Sequence, residues 1–238
     1  MSNSYNYIDA DYIYTYPKIG ILRNLLDITD QEVLLFVESV AVTKRIQELY
    51  ENPIKIKGIE SLFEIHRYLF QDIYSWAGKK RNVEISKDGK QFFPTTHFEN
   101  AYRFIDTLLY DYKKTRKNKK QQLVEKLAEI LDNINYLHPF REGNGRTQRE
   151  FVRLLALEKG LTLNVNPPDN KSIYEKYMQG TINSDIRTLS ELIFELINKL
   201  KIRIVYNGAS MQSGIQCGKK QKNDYLNLYG SYSPPLEA

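Results

Sequence analysis

The stretch HPFREGNGRTQREF, residues 138–151, gathers a histidine, two acids, two glycines and three arginines in fourteen positions. Pro139 is expected to end the helix that precedes it, because proline cannot continue a helical hydrogen-bond ladder. Gly143-Asn144-Gly145 then allows a tight turn, and a new helix is expected to begin at about Gly145 or Arg146. The unpaired N–H groups and positive dipole end of a helix N-terminus bind anions, so this loop predicts a phosphate site.

The side chains around the loop sharpen that prediction. Arg146 and Arg149 are three residues apart, so they share one face of the first helical turn and can both contact phosphate. Glu142 is unsuited to phosphate but suits Mg²⁺, which usually takes one or two carboxylates together with substrate phosphate oxygens. His138 ionises near neutral pH and can accept a proton from a hydroxyl that attacks phosphorus. A helix–turn–helix corner with packing glycines and solvated arginines is the alternative, and it leaves the histidine and the acid unexplained.

The other two histidines and the single cysteine suggest structural or surface roles. His66 lies on an apolar helical stripe and is expected to be a hydrogen-bonded core residue, whereas His97 is expected at the surface or in a cap. No group of histidine, cysteine and acidic residues has zinc-like spacing. Cys217 alone excludes an internal disulfide framework and is typical of a reducing compartment. The chain also lacks the GxxxxGK[ST] pattern of a Walker A loop.

Composition limits the partners. No apolar run approaches the roughly 20 residues that cross a bilayer, and the N-terminus has no secretory pattern, so a cytoplasmic protein without a membrane partner is expected. The net charge is +5, and the run KKTRKNKK, residues 113–120, is basic at six of its eight positions. This run is either a patch for nucleic acid or an acidic partner, or a solvated connection between helices. The second interpretation is favoured, because no aromatic residue interleaves the run to stack on bases.

Helical periodicity dominates the rest of the chain, and the fold class predicted is all-α with one small β-hairpin. Thr29 and Glu32 form an expected capping box for a first helix that reaches Glu51 and carries Val33, Phe36, Val37, Val40, Val42 and Leu49. Further helices are expected over the stripe 59–73 and at about 98–112, 121–137, from the glycine loop to 159, near 171–179, and at 188–204. The Asp88-Gly89 pair predicts a hairpin within 82–94, which needs support from helices or from a further strand.

Residues 138–149 resemble the signature HxFx[DE]GNGRxxR of the Fic (filamentation induced by cAMP) family at every specified position. The resemblance extends to YSWAGKKRNVEIS, residues 74–86, with the hairpin after it, and to YTYPKIGILRNLLDITDQ, residues 14–31. It covers roughly residues 10–200 and implies a Fic domain at 57–200, preceded by an N-terminal extension with the first helix at 1–56. It leaves residues 201–238 unexplained, and their polar, glycine-bearing sequence predicts an irregular tail. The implied fold is a Fic-type helical bundle with a hairpin flap.

The family resemblance also implies an activity and residue roles. The activity is protein adenylyltransfer: a target hydroxyl attacks the α-phosphorus of ATP and pyrophosphate leaves. His138 would be the general base, and Glu142 would hold Mg²⁺ between the α- and β-phosphates. Phe140 would pack inward and fix the loop. The implied phosphate-binding residues are Gly143, Asn144, Gly145, Arg146 and Arg149, and the implied flap contacts to the target or nucleotide are Ile85, Ser86 and Lys87.

Regulation and target follow only from the resemblance. Many members carry an inhibitory helix with the pattern [ST]xxxE[GN], whose glutamate would pair with Arg149. The match TTHFEN, residues 95–100, follows the hairpin, and Thr96 with Glu99 fits a capping box instead. A separate small antitoxin is therefore the expected inhibitor, and type II topoisomerase subunits are among the targets of such toxins. Delivery into another cell is a further expectation from related effectors.

Two other functions stay open from the sequence. A Fic relative could transfer a different phosphate-containing group, such as phosphate or phosphocholine, although this chain keeps residues 143–146 of the signature intact. A non-catalytic regulator could instead bind nucleotide or nucleic acid through residues 113–120, although nucleic acid is not the partner expected.

Overall fold

The computed structural model describes residues 6–7, 12–87, 89–163, 165 and 171–208, with side chains described up to residue 197. The described helices and strands lie, in chain order, at β1 (Asn6–Tyr7), α1 (Gln31–Glu51), α2 (Glu60–Phe70), β2 (Ile85–Lys87), β3 (Lys90–Gln91), α3 (Phe98–Lys114), α4 (Lys120–Leu137), α5 (Asn144–Glu158), α6 (Lys171–Asn183) and α7 (Ile186–Gly208). The predicted class, a helical bundle with a small hairpin, is confirmed.

Helix α4 lies at the centre of the bundle, where it packs against α3, α5 and α7. Its apolar side chains repeat every three or four residues, and those at Leu123, Leu127, Ile130, Leu131 and Ile134 are almost completely buried. Because these side chains are buried, α4 has a fixed position in the bundle, and so does residue 138 at its end. Helix α5 packs against both α4 and α2, and the loop between α4 and α5 is largely buried, with Phe140 fully inaccessible. No helix among the described residues is long and apolar enough to span a bilayer.

Two predicted helix caps differ from the structure. Asp30, not Thr29, caps α1, because its carboxylate accepts a hydrogen bond from the Val33 amide at 3.0 Å. A 3-10 turn over Thr95–His97 precedes α3, which has no side-chain cap, so the predicted capping box of Thr96 and Glu99 is wrong. At the start of α1, Thr29 and Asp30 can both accept hydrogen bonds from the first helical amides, and the sequence alone does not decide which of them is the cap.

The inward face of α1 is only partly the predicted one. Val33, Phe36 and Val40 are 48%, 70% and 55% exposed. Val42 and Leu49 are buried as predicted, and the other buried positions are Leu34, Glu38 and Ile46. Both sets have helical spacing, and the structure selects the one that includes an acidic side chain.

The predicted hairpin forms with a two-residue connection, because Lys87 pairs with Lys90 in β2 and β3. Asp88 of that connection lies outside the described residues. A third strand completes the sheet in the order β1-β2-β3, with Tyr7 opposite Ile85. The hairpin also rests on α4, since the Phe93 amide donates to the Tyr136 carbonyl at 3.0 Å. The marginal two-stranded hairpin is thus supported on both sides.

The other end of the chain extends further as helix than expected. Helix α7 reaches Gly208, so it runs into the range 201–238 that was predicted as an irregular tail. Residues 209–238, with Cys217, lie outside the described residues.

His66 connects α2 to the loop after α4, which confirms its predicted place in the core. Its Nδ1 accepts from the Gly78 amide at 2.8 Å, so Nε2 carries the proton and donates to the Glu142 carbonyl at 3.0 Å. The ring stacks on Phe140, with centroids 3.8 Å apart. Burial is the main cause that lowers the pKa of His66, to about 3, so the ring is neutral.

A neutral buried histidine makes stability depend on pH, and we expect the free energy of unfolding to fall as pH decreases below 6.5. In the unfolded chain His66 binds a proton near pH 6.5, whereas in the folded protein it does so only near its pKa of about 3. Protons therefore favour the unfolded state across this window, by about 1.4 kcal/mol per pH unit for one histidine. Urea unfolding between pH 7.5 and 5.0 measures the effect.

His66→Gln is the comparison variant. It should be less stable at pH 7.5, because it loses the stacked ring and at least one hydrogen bond. It should also lose about 2 kcal/mol less than wild type between pH 7.5 and 5.0, since carboxylates titrate in both proteins and cancel. Equal losses in the two proteins would contradict the neutral state of His66.

Candidate active site

The loop begins with a strained residue. His138 ends α4 in the left-handed conformation, with φ 45° and ψ 58°, a region that costs a non-glycine residue about 1–2 kcal/mol. Arg81 fixes this geometry: its Nε donates to the His138 carbonyl at 2.9 Å and its amide donates to the Pro139 carbonyl at 2.7 Å. Strain held by surrounding structure is typical of functional sites.

Arg81 also binds the hairpin to the same point. Its two terminal nitrogens donate to the carbonyls of Val83 at 2.7 Å and Phe93 at 2.6 Å. The side chain is fully buried, and burial, as the largest effect, lowers its pKa. One guanidinium group therefore holds both ends of the flap and the main chain of His138 together.

The imidazole of His138 is held as a neutral base. Its Nδ1 lies 3.0 Å from the Asn135 carbonyl, which can only accept, so Nδ1 carries the proton and Nε2 the lone pair. The ring stacks on Phe92 of the flap, with centroids 3.7 Å apart. Burial, with smaller contributions from the charges of Arg81 and Lys87, lowers the pKa of His138 to about 3. A neutral imidazole with Nε2 as acceptor can take a proton from a hydroxyl.

Gly143 and Asn144 shape the predicted anion site. Gly143 has φ +80°, and a Cβ there would lie 2.4 Å from the Phe70 ring, so conformation and space both require glycine. The Asn144 side chain donates to the Phe140 carbonyl at 2.7 Å and accepts from the Phe140 amide at 2.9 Å. Helix α5 begins at Asn144, so its first amides open on the loop, as an anion site requires.

Glu142 has the exposure and the surroundings of a magnesium ligand. Its side chain is 28% exposed and lies 3.7 Å from Nη2 of Arg146. One carboxylate oxygen accepts from the Gly143 amide at 2.8 Å, which leaves capacity for a cation. Within the described ranges no three histidine, cysteine or acidic residues cluster closely enough to hold a metal ion. One carboxylate therefore fits Mg²⁺ that arrives with substrate phosphates, and not a metal held by protein ligands alone.

The two signature arginines lie on the first turns of α5. Arg146 is 27% exposed, forms an ion pair with Glu38 at 2.5 Å and has its guanidinium 4.8 Å from the centre of the Phe70 ring. Arg149 lies 5.5 Å from the centre of the Tyr177 ring on α6, and its Nη1 lies against Gly145. Both cations thus lie at the start of α5, where the anion site is predicted.

The structure brings the sequence-predicted residues together and adds others. His138, Glu142, Gly143, Asn144, Gly145, Arg146 and Arg149 share one loop and helix start, and Ile85, Ser86 and Lys87 form the flap strand beside His138. His97 is exposed and distinct from this set.

Sequence reasoning did not identify Arg81, Asn135 or Glu38 as site residues. Glu38 had one usable signal, its i+4 spacing from Leu34 and to Val42. Arg81 had none, since a buried arginine in the sequence KKR looks like any exposed basic run.

The chain shares its sequence pattern with known proteins. The Fic/DOC family profile matches residues 56–156. The protein adenylyltransferase VbhT of Bartonella schoenbuchensis is 40% identical over 148 residues, which are 62% of this chain and 31% of that protein. The chain therefore spans about a third of that relative's length. The Escherichia coli protein named "Probable protein adenylyltransferase Fic" is 30% identical over 189 residues, 78% of this chain and 92% of that protein.

The fold is shared with solved Fic domains. The N-terminal Fic domain of an effector protein from a Bartonella species has a TM-score of 0.72 at 20% identity, over 80% of this chain and 93% of that domain. BepC of Bartonella tribocorum, solved with bound AMPPNP, has a TM-score of 0.67 at 19% identity, over 78% of this chain and 96% of that chain. At these identities the structural similarity shows that the fold is shared. The match to the Escherichia coli relative, which covers 92% of that protein, shows with the family profile that this chain belongs to the Fic/DOC family.

Proposed function

We propose that this chain is a protein adenylyltransferase, which transfers AMP from ATP to a tyrosine, serine or threonine hydroxyl of a target protein. The observation that carries the proposal is the neutral His138, with its proton on Nδ1, in one loop with an anion-binding helix start and the carboxylate of Glu142. The names of the VbhT and Escherichia coli relatives support it.

The reaction follows from the roles of these groups. The target oxygen attacks the α-phosphorus of ATP, and its proton passes to Nε2 of His138. The bond from the α-phosphorus to the bridging oxygen breaks, and pyrophosphate leaves with the electron pair. Because phosphoryl chemistry depends mainly on positioning and charge, the fixed loop contributes more than any covalent step.

The remaining residues hold the phosphate chain. The first amides of α5 and the guanidinium of Arg146 donate to phosphate oxygens, and Arg149 reaches the γ-phosphate. When bound, Mg²⁺ on Glu142 would neutralise charge between the α- and β-phosphates. ATP is then the substrate and Mg²⁺ the required cation.

The flap strand β2 presents the target segment through main-chain pairing, a mode of recognition that uses exposed strand edges. In the structure β3 pairs with one edge of β2, and β1 pairs with the other at two residues. A target strand therefore has to displace Asn6 and Tyr7 before it pairs with Ile85 and Ser86.

A separate antitoxin, which supplies an inhibitory helix, restrains the enzyme in the cytoplasm, and type II topoisomerase subunits are candidate targets. Delivery into another cell is a further route to a target. The segment TTHFEN does not take the inhibitory role, because Glu99 lies 3.9 Å from Lys80 and Thr95 bonds to Glu84. The basic run at 113–120 gives little support to nucleic-acid binding, since Lys113 donates to the Lys57 carbonyl within the same chain.

Labelled ATP tests the proposal. With bacterial lysate as acceptor, label on the α-phosphate should be transferred to protein and label on the γ-phosphate should not. His138→Ala should lower the rate by at least about 100-fold, because a positioned general base contributes about 10²–10⁴. Glu142→Ala should also abolish transfer, and His97→Ala, which removes an exposed histidine, should leave the rate unchanged.

The pattern of label distinguishes the alternatives. Transfer from the γ-phosphate would make the chain a kinase-like relative and overturn the proposal. Nucleic-acid binding that survives His138→Ala, without any transfer, would favour the non-catalytic regulator. Equal losses in His138→Ala and His97→Ala would contradict the assigned base.

Removal of the β1 pairing tests the flap. Replacement of Asn6 and Tyr7 by proline removes the main-chain N–H that faces β2, whichever of the two residues carries it, and the initial rate of labelling should rise. The expected gain is about twofold to tenfold, because one hydrogen bond contributes about 0.5–1.5 kcal/mol. Replacement of the same two residues by alanine keeps the donors and should change the rate little. A fall with the proline variant would show that β1 supports the flap and does not compete with the target.

A further inference from the structure

A buried carboxylate lies directly behind the phosphate-binding loop. The side chain of Glu38 in α1 is 5% exposed, and its neighbours along the buried face are Leu34 and Val42. An unpaired carboxylate in such a place would cost several kcal/mol, so burial requires partners.

Both oxygens of Glu38 have a partner. One lies 2.5 Å from Nη2 of Arg146, and the other accepts from the hydroxyl of Tyr74. Tyr74 is itself buried and stacks on Trp76, with centroids 4.3 Å apart. Burial, followed by the charge of Glu38, raises the pKa of Tyr74, so its hydroxyl stays a donor. The carboxylate is therefore fixed in position from both sides.

Arg146 pairs with this fixed carboxylate and with Glu142 of the loop. The Arg146 side chain is 27% exposed, against 5% for that of Glu38, so the carboxylate is the more deeply buried partner. Burial by itself would lower the pKa of Arg146, but Glu38 and Glu142 more than reverse this, and the pKa lies above its ordinary value. The two ion pairs described for Arg146 are both made through Nη2.

We propose that Glu38, held by Tyr74, is a positioning residue that fixes the guanidinium of Arg146 for the phosphate chain of ATP; the inference rests on the proposed adenylyltransferase function. An arginine that binds phosphate loses side-chain freedom, and a guanidinium already held loses less of it on binding. The pair with Glu38 orders Arg146 before ATP arrives. The ion pair also keeps the Arg146 guanidinium beside Glu142, where the phosphates of ATP are proposed to bind.

The opposite role for Glu38, competition with phosphate for Arg146, predicts the opposite change in ATP affinity when Glu38 is removed. If its carboxylate competed with phosphate for Arg146, its removal would strengthen ATP binding. The contacts argue against competition, because the Glu38 side chain is only 5% exposed and its second oxygen is held by the Tyr74 hydroxyl. Kinetics with the substituted protein decide between the two roles.

The test measures KM for ATP and kcat with α-labelled ATP, and binding of ATP with Mg²⁺ by calorimetry. Glu38→Ala should raise KM and the dissociation constant by about tenfold or more, with a smaller fall in kcat. Glu38→Gln should recover most of the loss, because its amide oxygen still accepts from Arg146 and its nitrogen can donate to Tyr74. Glu32→Ala removes an exposed acid of the same helix and should change nothing.

A double-mutant cycle separates positioning from general support of the fold. In an Arg146→Ala background Glu38→Ala should change kcat/KM by less than about twofold, because its effect acts through Arg146. An equal loss in both backgrounds would overturn the inference, as would tighter ATP binding in Glu38→Ala. If Glu38→Ala does not fold, Glu38→Gln with the same cycle gives the answer.

Failure of this inference differs from failure of the proposed function. Wild type that transfers AMP, with Glu38→Ala equal to it, would reject the role of Glu38 alone. If wild type binds ATP but transfers nothing, and Glu38→Ala binds ATP more weakly, the positioning role of Glu38 is supported and the adenylyltransferase function is rejected.

Discussion

The site depends on one constraint, that the main chain of residues 138–143 leaves helical geometry inside the core. Its carbonyls and amides cannot reach water there, so each needs an internal partner. Arg81 binds the carbonyl of His138, His66 binds that of Glu142, and the Asn144 side chain satisfies both main-chain groups of Phe140. These three side chains come from different segments, so the loop has one conformation only when the whole bundle is formed.

The same burial sets the protonation of the site. His138 and His66 both have a pKa lowered to about 3, mainly by burial, but the consequences differ. In His66 the ring only holds main chain, through Nε2–H and Nδ1. In His138 the Nδ1–H donates to the Asn135 carbonyl, which leaves Nε2 as the nitrogen that can accept a proton. Two neutral histidines therefore belong to one loop, one as its anchor and one as the proposed base.

The sequence predicts the position of the loop because the signals for it are local. A proline, two glycines, an asparagine and arginines three apart indicate the turn, the helix start and the charge, whereas the distant side chains of Arg81 and His66 fix the conformation. The helices followed from periodicity, and their ends moved by a few residues where Asp30 replaced Thr29 as the cap of α1. Arg81 could not be found in this way, because the His138 carbonyl that it binds is 57 positions away. Asn135 is only three residues from His138, but it acts through its main-chain carbonyl, which its residue type does not reveal.

Helix α1 shows why the remaining prediction failed. Its apolar residues form two stripes of helical spacing, and the prediction included Val33, Phe36 and Val40, which the structure exposes. The buried stripe contains Glu38, and pattern analysis normally places a charged residue outside. Burial becomes favourable only because Arg146 and Tyr74, more than 30 positions away, supply its two partners. The buried charge that makes the pattern misleading is thus the feature that connects α1 to the candidate phosphate site.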